Sequence, residues 1–201
     1  MKPFHRKKLI LASQSPRRQQ LLAERGVVFR VIPADDAVET PYDPALCESP
    51  SSYVLREARL KAENVARHFP VEDLAILACD TVAVCEGEIL GKPVDRDDAR
   101  RMLEKLSGTR HQVISGLCFL NPAQSESILC ETVSTTLEMN VLTPEQLESY
   151  LESGLWRGKA GAFGYQDGND WHRVLEGSEA NVVGLPIERV MEILTPDENW
   201  I

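Results

Sequence analysis

An almost unbroken apolar run from Leu74 to Cys85 constrains the fold of this chain more than any other feature. The run contains β-branched residues, and a continuous apolar segment of this kind is typical of a strand buried on both faces of a sheet. The sequence therefore predicts a central strand or a strand pair here. Only Asp80 and Thr81 interrupt the run, which places a carboxylate inside an apolar segment.

Strands and helices alternate along the rest of the chain. Further strands are predicted over Leu9–Ala12, Val27–Ile32, His111–Leu120, Ile128–Met139 and Trp171–Glu176. Helices are predicted to begin after Ser15, at Ser51 or Ser52, after Asp95 or Asp97, after Thr143 and after Pro186. Capping residues and prolines at the first helical position mark most of these starts. The alternation predicts an α/β fold with a mixed sheet that contains one late antiparallel pair.

The length and charge of the chain limit its class of partner. Its 201 residues suffice for one large domain or two small ones. It carries 31 acidic and 22 basic side chains, a formal net charge of −9. That charge argues against binding to a nucleic-acid polymer or to an anionic membrane. It does not exclude an anionic small molecule, because a local basic cluster or a metal ion can outweigh the average field.

The cysteines and the N-terminal segment predict a reduced, cytoplasmic protein. The five cysteines are scattered and include no Cys-x-x-Cys pair, so we expect reduced thiols that pack as small apolar groups. The basic N-terminus is followed by the apolar run Leu9–Ala12. That run is too short for the core of a signal peptide or for a membrane span. We therefore expect a cytoplasmic location and no membrane partner.

The segment from Ser13 to Arg18 reads Ser-Gln-Ser-Pro-Arg-Arg and lies where a strand is predicted to turn into a helix. Hydroxyl and backbone N–H groups at a helix N-terminus can bind an anion, and Arg17 and Arg18 add donors for phosphate oxygens. The alternative is an ordinary helix cap with two solvated arginines.

Asp80 is the second candidate. An ionised carboxylate in a dry sheet is costly unless a cation or hydrogen-bond donors meet it. A carboxylate at the end of a central strand is a common metal ligand or general base. The alternative is a structural aspartate that accepts bonds from its own loop. Lys61 shares a helix stripe with Val54, Ala58 and Val65, so we expect it near the buried face.

Two glycine-containing segments are candidate ligand loops. In Gly91-Lys92-Pro93 the glycine allows close approach of a ligand and the proline stiffens the position of the lysine. The segment from Gly158 to Gln166 is rich in glycine and alanine, and Lys159 and Gln166 are its donors. The alternatives are a common turn and a flexible loop, respectively.

The histidines form no catalytic arrangement. His5, His68, His111 and His172 are far apart in the sequence, and we expect each to be a surface or core residue. No Ser-His-Asp or Cys-His arrangement can be argued, and zinc-ligand spacing is absent.

Taken in order, these segments resemble the Maf family of nucleoside triphosphate pyrophosphatases. The resemblance extends from about Leu9 to Leu194. The matching stretches are Leu9–Ser13 with Ser15–Arg18, Tyr53–Arg56 running to Lys61-Ala62, Asp80–Val82, Gly91–Pro93, Leu106–Gly108, Lys159–Gly164 and Val182–Pro186. It implies a single Maf-like domain over residues 1–201, with an elongated, twisted mixed sheet flanked by helices and two lobes around a central cleft.

The resemblance also implies an activity and its residues. Such an enzyme cleaves a nucleoside triphosphate to the monophosphate and pyrophosphate with a divalent metal, Mg²⁺ or Mn²⁺. Asp80 matches the family's general base, and Asp80 and Glu39 are the expected metal ligands. Ser13, Arg17, Lys61 and Lys92 match its phosphate-handling groups, and Arg18 and Lys159 are expected to converge with them on the substrate. Arg17, Thr81 and Gln166 match the positions that set base specificity.

Within the family, Thr81 and Gln166 resemble the branch that acts on dTTP and UTP. The chain departs from the pattern in two places. It carries one extra residue around Asp35 to Val38, next to Glu39, and Tyr165-Gln166-Asp167-Gly168 replaces the usual Ile-Gln-Gly.

Three alternatives stay open. One is a nucleotide-binding regulator of cell division that does not catalyse, and another is a pyrophosphatase with specificity for 7-methyl-GTP. The third is an α/β metabolic enzyme for a different phosphorylated metabolite. The resemblance also allows a homodimer.

Overall fold

Helices and strands are interspersed along the computed structural model, which describes residues 8–38, 40, 42–43, 48–70, 73–123 and 128–194. The strands are β1 (Lys8–Leu11), β2 (Phe29–Val31), β3 (Leu74–Cys85), β4 (Glu88–Leu90), β5 (Arg110–Leu120), β6 (Ile128–Met139) and β7 (His172–Glu176). The helices are α1 (Pro16–Glu24), α2 (Pro50–Ala66), α3 (Arg96–Leu106), α4 (Pro144–Ser153), α5 (Glu179–Val183) and α6 (Ile187–Leu194). Short 3₁₀ turns lie at Asp36–Val38 and Ala160–Ala162.

The strands belong to one seven-stranded mixed sheet, which confirms the predicted α/β class. The order is β2-β1-β3-β5-β6-β7, and β4 also pairs with β3. Strand β1 runs parallel to β2 and to β3, whereas the pairs β3–β4 and β6–β7 are antiparallel. The sequence predicted a single late antiparallel pair, between His111–Leu120 and Ile128–Met139, and did not predict the antiparallel pair β6–β7 or the β3–β4 hairpin. Glu86 and Gly87 form its two-residue turn with positive φ angles of 51° and 80°, as in the turns that match strand twist.

Local capping signals set the helix starts. Asp95 accepts a hydrogen bond from the backbone N–H of Asp98 at 2.8 Å, and Thr143 forms the predicted capping box with Gln146. Helix α2 begins earlier than predicted, because Ser49 caps it and Pro50 occupies its first turn. The five-residue helix α5 was not predicted, since it is too short to show a helical period.

The chain divides into two compact units. Within the described residues, the first takes those up to Asp80, 115–133 and those from Gly184 onward, and the second takes 81–114 and 134–183. In the first unit, Ala58, Ala62 and Val65 of α2 pack on buried residues of β1, β3 and β5. In the second unit, α3 and α4 pack with Trp156 and residues of β3 and β4.

Helix α2 approaches β5 very closely at Gly116. A Cβ atom on Gly116 would lie 2.1 Å from the carbonyl oxygen of Val54 and 2.4 Å from its carbonyl carbon. The neighbouring atoms belong to the backbone, so no side-chain rotation can relieve the overlap. Glycine is therefore required for α2 to reach this position on the sheet.

Two cysteines do not follow the expectation of reduced thiols. Cys118 on β5 and Cys130 on β6 are joined in a disulfide. The two strands are neighbours in the sheet, and this pairing depends on strand register, which cysteine spacing does not reveal. Cys79 and Cys85 are buried thiols outside the disulfide, as expected of packing residues.

None of the described helices is long and apolar enough to cross a membrane.

Candidate active site

Asp80 and Lys61 form an ion pair in the first unit. Asp80 lies in the interior of β3, which runs unbroken through the polar dipeptide instead of ending at it. The Nζ atom of Lys61 is 2.6 Å from Oδ1 of Asp80, and the two side chains are 9% and 17% exposed. Lys61 thus lies on the buried stripe of α2 as predicted, and it supplies the cation that a poorly solvated carboxylate needs.

Arg18 holds the turn between β1 and α1. Its Nη1 atom donates to Oγ of Ser13 at 3.0 Å and to the carbonyl oxygen of Cys79 at 2.7 Å. Its Nε atom donates to the carbonyl oxygen of Gly184 at 2.8 Å. The alternative of two solvated arginines is therefore wrong for Arg18. Its contacts fix Ser13 relative to the residue that precedes Asp80.

The N-terminus of α1 presents backbone donors beside Arg17. Ser15 occupies the capping position, but its side chain makes no capping hydrogen bond, and Pro16 begins the helix. Ser13 is buried and its Oγ accepts from the backbone N–H of Ser15 at 3.3 Å. Arg17 is partly exposed in the first turn. This geometry is typical of an anion-binding helix terminus.

Glu57 anchors the loop that follows β2. Its carboxylate is 1% exposed and accepts hydrogen bonds from the backbone N–H of Thr40, at 3.2 and 3.3 Å, and from the Thr40 hydroxyl at 2.5 Å. Arg56 lies 2.5 Å from the same carboxylate and also binds Glu48 through two nitrogens. The predicted metal ligand Glu39, which precedes Thr40, lies outside the described residues.

A divalent ion at Asp80 would depend on few protein ligands. Among the described residues no group of three or more His, Cys, Asp or Glu side chains could hold a metal ion. Mg²⁺ usually keeps several waters and needs only one or two carboxylates together with substrate phosphates. The partly exposed carboxylate of Asp80 fits that requirement.

In the second unit the two candidate ligand loops meet. The backbone N–H of Gly161 donates to the carbonyl oxygen of Gly91 at 3.0 Å. This bond joins the loop that carries Lys92 to the segment that follows Lys159. The side chain of Lys92 is exposed, and Thr81, the first residue of this unit, is partly buried in β3.

Lys159 forms an ion pair within the protein. Its Nζ atom lies 2.5 Å from Oδ2 of Asp167 and also contacts Oδ1. The two side chains are 14% and 10% exposed. Oδ2 of Asp167 also accepts a hydrogen bond of 2.5 Å from the hydroxyl of Tyr150. Gln166, between Tyr165 and Asp167, is exposed.

His111 is a buried core residue, and His172 is partly buried beside it. The rings of His111 and His172 lie 5.2 Å apart, edge to face, and His172 stacks on Phe163. Burial lowers the pKa of His111 to about 4, and burial together with the charge of His111 lowers the pKa of His172 to about 3. Both rings are therefore neutral at pH 7.

Three functional-site neighbours were not found from the sequence: Glu57, Tyr150 and Asp167. Glu57 had a usable signal, because it lies three residues after Val54 and four before Lys61 on the same helix stripe. Asp167 belongs to the segment that departs from the family's Ile-Gln-Gly pattern. That departure marks the position as unusual but does not reveal that Lys159 is its ion-pair partner. The sequence around Tyr150 predicts only a helix and gives no indication of its hydrogen bond to Asp167.

Comparison with known proteins gives one family and several relatives. The model of the family described as "Maf-like protein" matches residues 8–196. The chain is 49% identical over 189 residues to a dTTP/UTP pyrophosphatase of Rhodopirellula baltica, covering 92% of this chain and 80% of that protein. It is 43% identical over 185 residues to a dTTP/UTP pyrophosphatase of Syntrophomonas wolfei, covering 92% and 94%.

A search of solved structures finds the same kind of fold. A HAM1 protein from Coxiella burnetii superposes with a TM-score of 0.53, covering 95% of this chain and 100% of that one. The two sequences are 16% identical, so this likeness concerns the fold alone.

Proposed function

The chain belongs to the Maf-like protein family, and we propose that it is a nucleoside triphosphate pyrophosphatase that hydrolyses dTTP and UTP to the monophosphate and pyrophosphate. The observation that carries this proposal is the identity of 43–49% to two dTTP/UTP pyrophosphatases over 92% of the chain. The ion pair of Asp80 with Lys61 supports it, because a partly exposed carboxylate beside a cation suits phosphoryl chemistry.

Asp80 is the proposed general base. In this hydrolysis water attacks the α-phosphorus, the bond from that phosphorus to the bridging oxygen breaks, and pyrophosphate leaves. The Asp80 carboxylate takes the proton of the attacking water, and Lys61, 2.6 Å away, holds that carboxylate in one orientation. Negative charge accumulates on the phosphate oxygens, so cationic groups supply much of the catalysis.

Ser13, Arg17 and Lys92 are the proposed phosphate-binding groups. Arg17 and the backbone donors at the start of α1 supply positive potential in the first unit, and the exposed Lys92 supplies it in the second. Arg18 contributes indirectly, because its three acceptors belong to the protein and keep Ser13 in place.

Asp80 would hold a divalent ion, Mg²⁺ or Mn²⁺, and Glu39 is its second proposed ligand. When bound, such an ion shields the triphosphate and withdraws electrons from its oxygens.

Arg17, Thr81 and Gln166 are the proposed base-selecting residues. The names of the relatives favour dTTP and UTP over 7-methyl-GTP. We place the enzyme with the free nucleotides of the cytoplasm. The family resemblance allows a homodimer, and light scattering of the purified protein measures the oligomeric state.

The decisive experiment measures pyrophosphate release from dTTP, UTP, dCTP, GTP, 7-methyl-GTP and a set of other phosphorylated metabolites. We expect release from dTTP and UTP and much less from the others. A nucleotide-binding regulator would instead show a thermal shift with dTTP and no release. Release from a different metabolite alone would contradict the proposed substrate class.

A further inference from the structure

The carboxylate of Asp167 ties three parts of the second unit together. It receives Nζ of Lys159 and the hydroxyl of Tyr150, whose oxygen in turn accepts the backbone N–H of Gly164 at 3.2 Å. Tyr150 lies on α4, whereas the other residues lie on the segment from Lys159 to Asp167. We call Tyr150, Lys159 and Asp167 the Asp167 network.

The Asp167 network lies directly against the backbone of Gly164. A Cβ atom on Gly164 would lie 2.5 Å from Nζ of Lys159 and 2.5 Å from Oδ2 of Asp167. The backbone N–H of Asp167 also donates to the carbonyl oxygen of Gly164 at 3.0 Å, which closes a four-residue turn. Gln166 is the third residue of that turn and its side chain is exposed.

Both neighbours of Gln166 are anchored. Asp167 belongs to the network, and the hydroxyl of Tyr165 donates to Oε1 of Glu179 at 2.7 Å. An exposed side chain on a turn that is fixed on both sides loses little conformational freedom when it binds a ligand. The turn therefore presents the Gln166 amide from a rigid base.

The burial of the ion pair opposes a direct role of Lys159 in phosphate binding. The side chains of Lys159 and Asp167 are 14% and 10% exposed, and that of Tyr150 is buried. Moving Nζ of Lys159 to a phosphate would leave the Asp167 carboxylate poorly solvated and without its cation, which is strongly unfavourable.

We propose that Asp167, acting through Lys159 and Tyr150, is a positioning residue that sets the base selectivity of Gln166. This inference rests on the proposed function, because the role of Gln166 in base selection belongs to it. Asp167 does not contact the substrate. It fixes the turn from Gly164 to Asp167, and the Gln166 amide hydrogen-bonds to the base of the nucleotide. Loosening the turn lowers discrimination between bases without removing the catalytic groups.

The experiment compares kcat/KM for dTTP with kcat/KM for dCTP in Asp167→Asn and Tyr150→Phe. Asparagine keeps the shape and removes the charge, and phenylalanine keeps the ring that packs near Phe163 and Trp171 and removes the hydroxyl. We expect the dTTP/dCTP ratio to fall roughly tenfold in both variants, on the scale of a lost hydrogen-bonding contact to substrate. kcat for dCTP should change less than about twofold.

Asp170→Asn is the matched control, because it makes the same charge change at an exposed position three residues further on. Its ratio should equal that of the wild type. The double variant Asp167→Asn/Lys159→Met should lose no more selectivity than Asp167→Asn alone, because both substitutions remove the same ion pair.

Three outcomes separate the possibilities. A uniform rise in KM for every triphosphate in Lys159→Met, with an unchanged base ratio, would overturn the proposal in favour of a phosphate ligand. Unchanged selectivity in both Asp167→Asn and Tyr150→Phe would also overturn it. Failure of the wild type to release pyrophosphate from any nucleotide would instead overturn the proposed function.

Discussion

At the scale of the residue, Asp80 combines two properties that rarely occur together. Buried residues of β3 flank the Asp80-Thr81 dipeptide on both sides, yet the Asp80 side chain is 17% exposed. A group buried deeper would be closed to water, and a group on the surface would lose the short contact with Lys61. Partial exposure beside a fixed cation is what a base that works on water requires.

Asp80→Asn tests that role. Asparagine has nearly the same shape and still offers Lys61 an oxygen acceptor, but it cannot take a proton from water. We expect kcat for dTTP to fall by about 10²-fold or more. The measurement is pyrophosphate release at saturating dTTP, with Asp97→Asn, an exposed position in the first turn of α3, as the control. Near-normal turnover of Asp80→Asn would contradict the role of Asp80 as general base.

The sequence predicted that Lys61 lies near the buried face, but it did not predict which residue pairs with it. The stripe of α2 correctly placed Lys61 near the buried face, and the same spacing applies to Glu57. Apolar period alone, however, carries no information on which group compensates a buried charge. The partner of Lys61 lies 19 residues away, and Thr40, which binds Glu57, lies 17 residues away.

At the scale of the element, the close approach of α2 to β5 determines the position of Lys61, which lies on α2. Gly116→Ala should destabilise the protein by about 1–3 kcal/mol, because its Cβ would overlap the Val54 carbonyl group. Urea unfolding followed by circular dichroism measures this loss. Gly91→Ala is the control, since a Cβ there meets nothing within 4 Å. Equal free energies of unfolding of the two variants would contradict this requirement, because they would mean that α2 can move away from residue 116 without loss of stability.

Local signals predicted most elements because they act over a few residues. The capping box at Thr143 and the proline at the start of α1 are read directly from neighbouring positions. The Cys118–Cys130 pair and the Asp167 network depend on which strands and loops become neighbours. No pattern within a single element specifies those contacts, so the sequence left them out.

At the scale of the whole molecule, the chain carries a formal net charge of −9, which repels a triphosphate. The proposed divalent ion would shield the triphosphate, together with the proposed phosphate ligands Arg17 and Lys92. We expect excess EDTA to abolish hydrolysis of dTTP and Mg²⁺ to restore it. Independently of turnover, dTTP should raise the melting temperature more with Mg²⁺ than with EDTA. Hydrolysis that persists in excess chelator would contradict the metal requirement.

The buried histidine pair makes the stability of the protein depend on pH. The pKa of His111 is about 4 and that of His172 about 3, because burial disfavours their charged forms. For His111 the effect of burial exceeds that of the backbone of Thr109, which acts in the opposite direction and raises the pKa. In the unfolded chain both rings have the ordinary pKa of about 6.5. The unfolded chain therefore binds more protons below pH 6.5, so stability is complete above that pH and falls as the pH is lowered.

Between pH 7.5 and pH 5 the free energy of unfolding should drop by about 4 kcal/mol, since each of the two rings contributes up to about 1.4 kcal/mol per pH unit below 6.5. Carboxylates titrate mainly below this range, so the drop reports the histidines. His111→Asn should flatten the pH dependence whatever its effect on stability at pH 7.5, whereas exposed His68→Asn should leave it unchanged. Urea midpoints at several pH values measure both slopes. An equal slope in His111→Asn and wild type would mean that the pair is already solvated in the folded protein.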